Sequence, residues 1–525
     1  MKEFIIKINH YDKQDFIIMH SNKDISTNHF LEINKLSDFN LSTLKLSHLD
    51  KFSILNGKLF IIERYIQGLN KIPGILLLDK TYGSFKDKFF YKLIPHNKQF
   101  PSCLVPYKKQ HSFNKHIIHK YVLYRFKHWN NKHPVSEIVE VIGNVNDISS
   151  YTNYRLYCDN LVFSKRQLNK QCADIYKHNR FFSLFHNKLI EKDKSIFTID
   201  PPECTDFDDA VSIQQTEDIT TIDIYISNVA YILDYFDLYT FITTQVSSIY
   251  LPDNVIHMLS NSLSTNICSL TEKTQKFVIV CTLTIAENEI IKTDFSTDII
   301  YIHKNYSYDE PALLRNSDYL SLFKTVSNIS PIKDSHELVE WLMIEMNYRA
   351  SLLLKQHNIG VFRNNNSIKS TYFFHQQQTD NVFRHDALQK TSYLHITSPI
   401  RRIVDILNQI SLLSCLELYP LTQKAVDFYS RYLHEIERIN RDMRYIKYLE
   451  SDIYFLKNIT SHPDTIYIAK VLEHSLYIED LNKYIYYKDI HVEKHLQSII
   501  QIKLYLISEE ITFQHKIKTM IIESR

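Results

Sequence analysis

The sequence predicts an α+β multidomain chain, in which a central mixed α/β domain is flanked by small β-barrels. Three observations carry this. At 525 residues the chain is far longer than one hydrophobic core supports, so about three or four domains are expected. Short strand-like segments fill both ends of the chain. Long segments with helical apolar spacing are confined to residues 335–461.

Taken in order, residues 1 to about 190 contain "GKLFIIERYI", "KIPGILLLD", "KFFYKLI" and "KYVLYRF", all of strand composition, and "EIVEVIGNVND", which ends in turn residues. Short strands at this spacing suit two consecutive OB-like barrels. A more helical, charged stretch from Phe163 to Lys194 follows. Between Ser195 and about Ile300, "TTIDIYISNVAYIL" and "KFVIVCTLTI" read as strands. "SHELVEWLMIEMNYRASLLL" (Ser335–Leu354) reads as a helix with a Ser cap and an early Glu. "SPIRRIVDILNQISLLSCLEL" reads as a second helix opened by Ser398-Pro399, and the stretch from Val426 to Ile459 as one long amphipathic helix. From Pro463 the pattern alternates again and predicts a third small barrel.

Composition excludes several function classes. No apolar run approaches the roughly 20 residues that span a bilayer, so no membrane partner is expected. "MKEFIIKINHYDK" is too polar for a secretory signal. Seven scattered cysteines without a CxxC pair argue against a disulfide framework or zinc knuckle and for a reducing, cytoplasmic setting. With six glycines, only Gly143 and Gly360 lying beyond residue 83, neither GxxxxGK nor GxGxxG phosphate loops can form. Phosphate chemistry must then use metal or side-chain charge.

The net charge of +2 conceals one polarised stretch. Lys88 to Ser136 holds ten Lys or Arg and no acidic residue, with aromatics such as Phe89, Tyr91, Tyr121, Tyr124, Phe126 and Trp129 interleaved. Two readings stay open: a cationic, stacking surface for single-stranded nucleic acid, or a solvated basic face over aromatic core residues.

"FTIDPPECTDFDDAVSI" (Phe197–Ile213) holds Asp200, Asp206, Asp208 and Asp209 within ten residues. Such crowding requires a positive partner. The order fails the EF-hand pattern, but a strand followed by a Pro-Pro turn would fold the carboxylates together into an oxygen-rich nest suited to Mg²⁺. Two such ions about 3.5–4 Å apart can activate water and stabilise the leaving oxygen in phosphodiester cleavage.

This stretch resembles the signature of the ribonuclease II/R (RNB) exoribonucleases, Thr-Ile-Asp-Pro-x-x-Ala-x-Asp-x-Asp-Asp-Ala, with Cys204 where Ala is usual. Further matches follow in order: "SSIYLPDNVIHMLSNSLSTNICSL" (Ser247–Leu270), "YSYDE" (Tyr306–Glu310), "LVEWLMIEMN" (Leu338–Asn347) and "HDALQKTSYLHITSPIRRIVDIL" (His385–Leu407). The resemblance covers about Ser195 to Leu456. It implies a domain order of 1–105, an N-terminal region with a first OB or cold-shock-like barrel; 106–190, a second such barrel and linker; 191–460, an RNB catalytic domain; and 461–525, a C-terminal OB-like RNA-binding barrel.

The resemblance further implies 3′→5′ degradation of single-stranded RNA, processively, to 5′-nucleoside monophosphates. Asp200, Asp206, Asp208 and Asp209 would hold Mg²⁺, with Mn²⁺ as a substitute. Asp208, Asp209 and Arg401 would be catalytic, Arg401 meeting the scissile phosphate. Tyr250, Tyr308, Glu340, Arg401 and Arg402 would bind substrate, Glu340 near the last ribose. Arg402 has a second reading, an ion pair with Asp405. His385 and His395 read as structural. Asn228 departs from the family, which has Asp there. The expected partner is single-stranded RNA, bound by a monomer, with an accessory complex left open. A catalytically inactive RNA-binding relative is the alternative, and a carboxylate-metal phosphodiesterase acting on DNA a third reading.

Overall fold

The computed structural model describes residues 3–20, 40–55, 58–109, 117–177, 194–365, 370–375, 383–486 and 498–522. The chain forms two compact units, one from Met1–Val162 with Leu449–Arg525 and one from Phe163–Tyr448.

In the first unit, β1 (Glu3–His10), β2 (Asp15–His20), β3 (Lys51–Leu55) and β4 (Lys58–Glu63) form a sheet in the order β2-β1-β3-β4. Period-two alternation sets its faces: Phe4, Ile6 and Ile8 are buried while Glu3 and Lys7 are exposed. Then β5 (Ile72–Phe85), β6 (Lys88–Pro95), β7 (Cys103–Tyr107), β8 (Lys120–His128) and β9 (Val135–Asn144) close into a barrel in the order β5-β6-β7-β9-β8. This is the five-stranded Greek-key ring of an OB fold, closed by the parallel β7–β9 and antiparallel β5–β8 pairs. Helix α1 (Ile148–Cys158) crosses the barrel so closely that a Cβ on Gly143 would lie 1.9 Å from Ser150 Oγ. Only glycine fits there.

Two expectations change. The boundary drawn between residues 105 and 106 falls inside β7, so it cuts one barrel rather than separating two. Among the described residues the N-terminal region is an open four-stranded sheet. Most aromatics of the basic stretch are core: Tyr91, Tyr121, Tyr124, Phe126 and Trp129 are buried, whereas Phe89 is exposed. Several of its cations are paired, Arg125 and Lys127 with Glu137 and Lys108 with Asp87. Phe113 and Lys115 lie outside the described residues.

The second unit begins with α2 (Arg166–Lys177), then β10 (Phe197–Asp200), β11 (Asp209–Gln215), β12 (Thr220–Ser227) and α3 (Val229–Tyr235). The hairpin β13 (Ile249–Leu251) and β14 (Asn254–Ile256) follows, then β15 (Gln275–Ala286), β16 (Glu289–Tyr301) and β17 (Lys304–Ser307). Helices α4 (Ser317–Ile329) and α5 (Ser335–Gln356), hairpin β18 (Val361–Asn365) and β19 (Ser370–Phe374), helices α6 (Ile403–Cys415) and α7 (Gln423–Leu433), and α8 (Ile436–Ser461) as far as Tyr448 complete it, the rest of α8 being part of the first unit. The sheet order is β16-β15-β12-β11-β10-β17, antiparallel except for β10–β17.

Helix α6 is buried on every side from Ile403 to Leu413, so it is the central helix of this unit. Its buried amides tie the neighbours together. Gln409 accepts from Ala230 N at 3.1 Å and donates to Ser227 O at 2.8 Å, while Asn408 accepts from Val361 N at 2.7 Å and donates to His395 O at 2.8 Å. Both buried amides thus have partners, as a packed core requires.

Four local expectations are corrected. The cap of α5 is Asp334, which accepts from Glu337 N at 2.9 Å, with Ser335 already helical. The run "IYISNVAYIL" is strand only to Ser227; Asn228 then caps α3 by accepting from Tyr231 N at 3.1 Å. Helix α6 starts at Ile403, leaving Ser398–Arg402 as a turn ahead of it. The long C-terminal helix is two helices, broken at His434–Glu435. In the tail, β20 (Ile466–Val471), β21 (Ser475–Ile478), β22 (Lys483–Tyr486), β23 (Ile499–Leu506) and β24 (Ile517–Ile522) pair in the order β22-β21-β20-β23-β24. That is OB-like strand order without a β22–β24 closing pair among the described residues. Compactness groups this sheet with the N-terminal unit rather than setting it apart.

Candidate active site

The acidic loop leaves β10 at Asp200 and re-enters the sheet at Asp209. Between them the Pro201–Cys204 turn closes with Cys204 N donating to Pro201 O at 3.2 Å, and Glu203 takes a left-handed φ of 66°. A non-glycine residue in that region stores strain, a feature concentrated at functional sites. Ser269 then pins the loop: its Oγ accepts from Phe207 N at 3.0 Å and donates to Thr205 O at 2.9 Å. Leu270 N donates to Phe207 O, and Ser227 N to Asp208 O, both at 2.9 Å.

Asp208 is 3% exposed and joins two distant parts of the chain. Its Oδ1 accepts from Ile400 N at 2.9 Å and its Oδ2 from Arg401 Nε at 3.1 Å. Burial pushes its carboxyl up to about 7 against the pull of Arg401. Arg401 therefore has its Nε fixed on Asp208 while its side chain stays 45% exposed. The turn that carries it is held from behind. Asp405, fully buried, accepts from Ser398 N at 2.8 Å, and Arg402 pairs with Asp405 at 2.8 Å. Arg402 thus sits in the ion pair that was its second reading, with its side chain turned inward.

Asp206 accepts from the Tyr250 hydroxyl at 2.6 Å. Burial first, then Asp206, raises the Tyr250 pKa, so the phenol stays a donor. Tyr308 N donates to Asp200 O at 3.0 Å, and the Tyr308 ring stacks on His336 with centroids 3.7 Å apart. Glu340 is exposed on α5, one turn beyond His336 on the same face. The Cys204 thiol lies 3.8 Å from Asp206 Oδ1 and 4.0 Å from Asp200 Oδ1. Burial and those carboxylates hold it protonated, up to about 12.

Whether these carboxylates fit a divalent cation is tested by what they lack. Asp200 Oδ2 is buried without a hydrogen-bond partner. Burial, opposed by Thr198 and Arg401 and reinforced by Asp206, raises the Asp200 pKa; burial with Asp200 and Asp208 raises that of Asp209. Arg401 offsets the negative charge here only in part, and a cation would relieve the rest. Among the described residues no three His, Cys, Asp or Glu side chains are preformed around one cation position. An incomplete protein cage suits Mg²⁺, which is bound through one or two carboxylates plus substrate phosphates. The residues fit.

Sequence reasoning named Asp200, Asp206, Asp208, Asp209, Arg401, Tyr250 and Tyr308, and the structure brings their elements together. It named Asp405 only as an ion-pair partner of Arg402, and it did not name Ser269 or His336. Ser269 lies inside the Ser247–Leu270 block, yet its work on backbone groups has no signature in residue type. His385 accepts from Leu388 N at 3.3 Å, and His395, 5% exposed, bonds the Tyr372 hydroxyl at 2.7 Å and Arg363 at 2.8 Å.

A family model described as the RNB domain matches residues 191–319, the span that contains the whole acidic loop and the sheet beneath it. The chain carries an RNB domain. A second family model, the Dis3-like cold-shock domain 2, matches residues 90–157, from β6 through α1. The RNB-containing chain is 30% identical to ribonuclease R of Ureaplasma parvum over 198 residues, 36% of this chain and 27% of that one. It is 30% identical to the exosome complex exonuclease dis3 of Schizosaccharomyces pombe over 128 residues, 24% of this chain and 13% of that one. The matched stretches thus span about a quarter or less of these relatives' lengths. In fold, the chain is similar to Mycoplasma genitalium RNase R in complex with ribose-methylated single-stranded RNA, at a TM-score of 0.69, 14% identity, and coverage of 99% and 100% of the two chains. It is also similar to yeast Ssd1, a pseudonuclease, at a TM-score of 0.54 and 12% identity, covering 81% of this chain and 66% of that one. Among the described residues no helix is long and apolar enough to cross a membrane.

Proposed function

We propose that this chain is a divalent-metal-dependent 3′→5′ exoribonuclease that degrades single-stranded RNA processively to 5′-nucleoside monophosphates. The observation that carries the reading is the Asp208–Arg401 junction. It fixes a half-exposed guanidinium beside carboxylates whose charge it offsets only in part. Phosphodiester cleavage needs that pairing: cation-binding oxygens on one side and a rigid donor for developing phosphate charge on the other.

Asp200, Asp206 and Asp209 are the residues that would hold Mg²⁺, or Mn²⁺ in its place. When bound, such ions generate a water nucleophile at neutral pH and offset charge on the transferring phosphoryl group. Asp208 contributes by aiming Arg401, whose Nη edge donates to a phosphate oxygen in planar geometry. Tyr250 orients Asp206 through its 2.6 Å hydrogen bond. The Tyr308–His336 stack offers a platform for a terminal base, and Glu340, one turn along α5, an acceptor for a ribose 2′-hydroxyl. Residues 191–460 are assigned to an RNB catalytic domain and 461–525 to a C-terminal OB-like RNA-binding barrel. The proposed partner is single-stranded RNA, met in a reducing cytoplasm by a monomer or by the chain within an accessory complex.

The reading is tested by incubating 5′-labelled single-stranded RNA with the protein and Mg²⁺, with Asp209→Asn in parallel. A ladder shrinking to a short end product, abolished by EDTA and by the substitution, is expected. The fold likeness to a pseudonuclease favours one alternative, an inactive RNA-binding relative. Tight binding without cleavage by the unaltered chain would establish that alternative instead.

A further inference from the structure

The basic stretch Lys88–Ser136 is only partly absorbed by the barrel core and surface ion pairs. Where the β1–β2 turn meets the end of the barrel, nine of its residues, Lys92, Lys132 and His133 among them, line a cavity of about 350 Å³. That is within the size range of small-ligand sites. The walls are held together directly: Tyr11 N donates to Lys98 O at 2.8 Å, and Lys45 Nζ to Asn130 O at 2.6 Å.

The lining has two chemistries. Trp129 and Tyr11, 6.4 Å apart between centroids, give an aromatic wall, and exposed Tyr82 a third ring. Lys92 and Lys132 supply cations and His133 a ring nitrogen, and Asp12 is the one acidic residue of the lining. Unlike Arg125 or Lys108, neither Lys92 nor Lys132 has a carboxylate partner among the described residues. Tyr11 is 94% withdrawn from solvent, its relative exposure being 6%, yet its hydroxyl has no hydrogen-bond partner. A buried unpaired hydroxyl costs about 1–3 kcal/mol, so something should bond it.

We propose that this cavity binds a nucleotide unit, its base against Trp129 and Tyr11 and its phosphate on Lys92, Lys132 and His133. Aromatic stacking and lysine contacts to phosphate are the two terms that hold single nucleotides of a strand. The same chemistry has two sources, a free nucleoside monophosphate or one unit of an RNA strand. The site is built from other residues than the carboxylates and stands or falls independently of the exonuclease reading.

The chain has two tryptophans, so Trp341→Phe leaves Trp129 as its only indole emitter. In EDTA, this variant is titrated with AMP, with adenosine and with an oligoadenylate while Trp129 emission is followed. Saturable quenching by AMP or the oligonucleotide, about tenfold weaker with adenosine and in Lys92→Ala/Lys132→Ala, is expected. Half-saturation at far lower oligonucleotide than AMP assigns the site to the strand; equal or better binding of AMP assigns it to free nucleotide. No quenching by either probe at millimolar concentration, or quenching indifferent to the lysine substitutions, overturns the proposal. Both lysines are at least partly exposed, so a matched melting temperature confirms that the variant folds.

Discussion

Asp208 Oδ2 accepts from Arg401 Nε at 3.1 Å across 193 residues of chain. The same carboxylate's other oxygen accepts from Ile400 N. The two motifs that carry charge in the sequence therefore meet through one side chain, and the orientation of Arg401 depends on it.

Arg401→Lys should fail nearly as badly as Arg401→Ala. A lysine ammonium cannot bond Asp208 with one edge and a phosphate with another. Both substitutions should lower kcat by about 10²–10³, the usual cost of removing one preorganised donor, with RNA affinity much less affected. Single-turnover rates and separate binding isotherms check this; a lysine variant of near-normal rate would contradict it.

Tyr250→Phe removes the 2.6 Å hydrogen bond to Asp206 and nothing charged. Half-saturation in Mg²⁺ should shift, while the maximal rate at saturating Mg²⁺ falls only several-fold. A Mg²⁺ titration of cleavage rate distinguishes this from a loss that extra Mg²⁺ cannot restore.

Asn228→Ala should cost about 1 kcal/mol through loss of the α3 cap, and Asn228→Asp should cost far less. Urea midpoints of the three proteins provide the comparison. Asn228 also accounts for a departure noted in the sequence: Asn and Asp cap helices equally well, so the acceptor survives the change.

Lys276 is 2% exposed, and burial lowers its pKa from 10.5 to about 8. The folded state thus releases this proton earlier than the unfolded chain does. Stability should rise as pH climbs from about 8 to 10.5, by up to about 3 kcal/mol from this group. Lys276→Met should remove that part of the rise and be the more stable protein at pH 7. Thermal melts of both proteins between pH 7 and 10 test the difference; parallel curves would contradict it.

Strand composition and helical periodicity located β6, β8, β12, β15 and α5 because each buries one face or runs long enough to declare its period. The order of the Greek-key barrel was not legible, since β7–β9 and β5–β8 pair residues far apart in sequence and only closure reveals them. The break at His434–Glu435 has no Pro or Gly to announce it. At the site, the carboxylates and Arg401 were legible as crowded like charges and a resembling motif. Ser269 was not, and Asp405 was legible only as a partner of Arg402, because bonding backbone groups is work that residue type does not encode. Arg402 illustrates the same limit: adjacent arginines look alike in sequence, and burial of Asp405 separates their roles.

The most direct test of the central claim is the first product released from a 3′-labelled single-stranded RNA in Mg²⁺. The account predicts that the label appears at once as a nucleoside 5′-monophosphate, with no labelled oligonucleotide at any time. Labelled oligonucleotides, or bound RNA that stays intact, would contradict it.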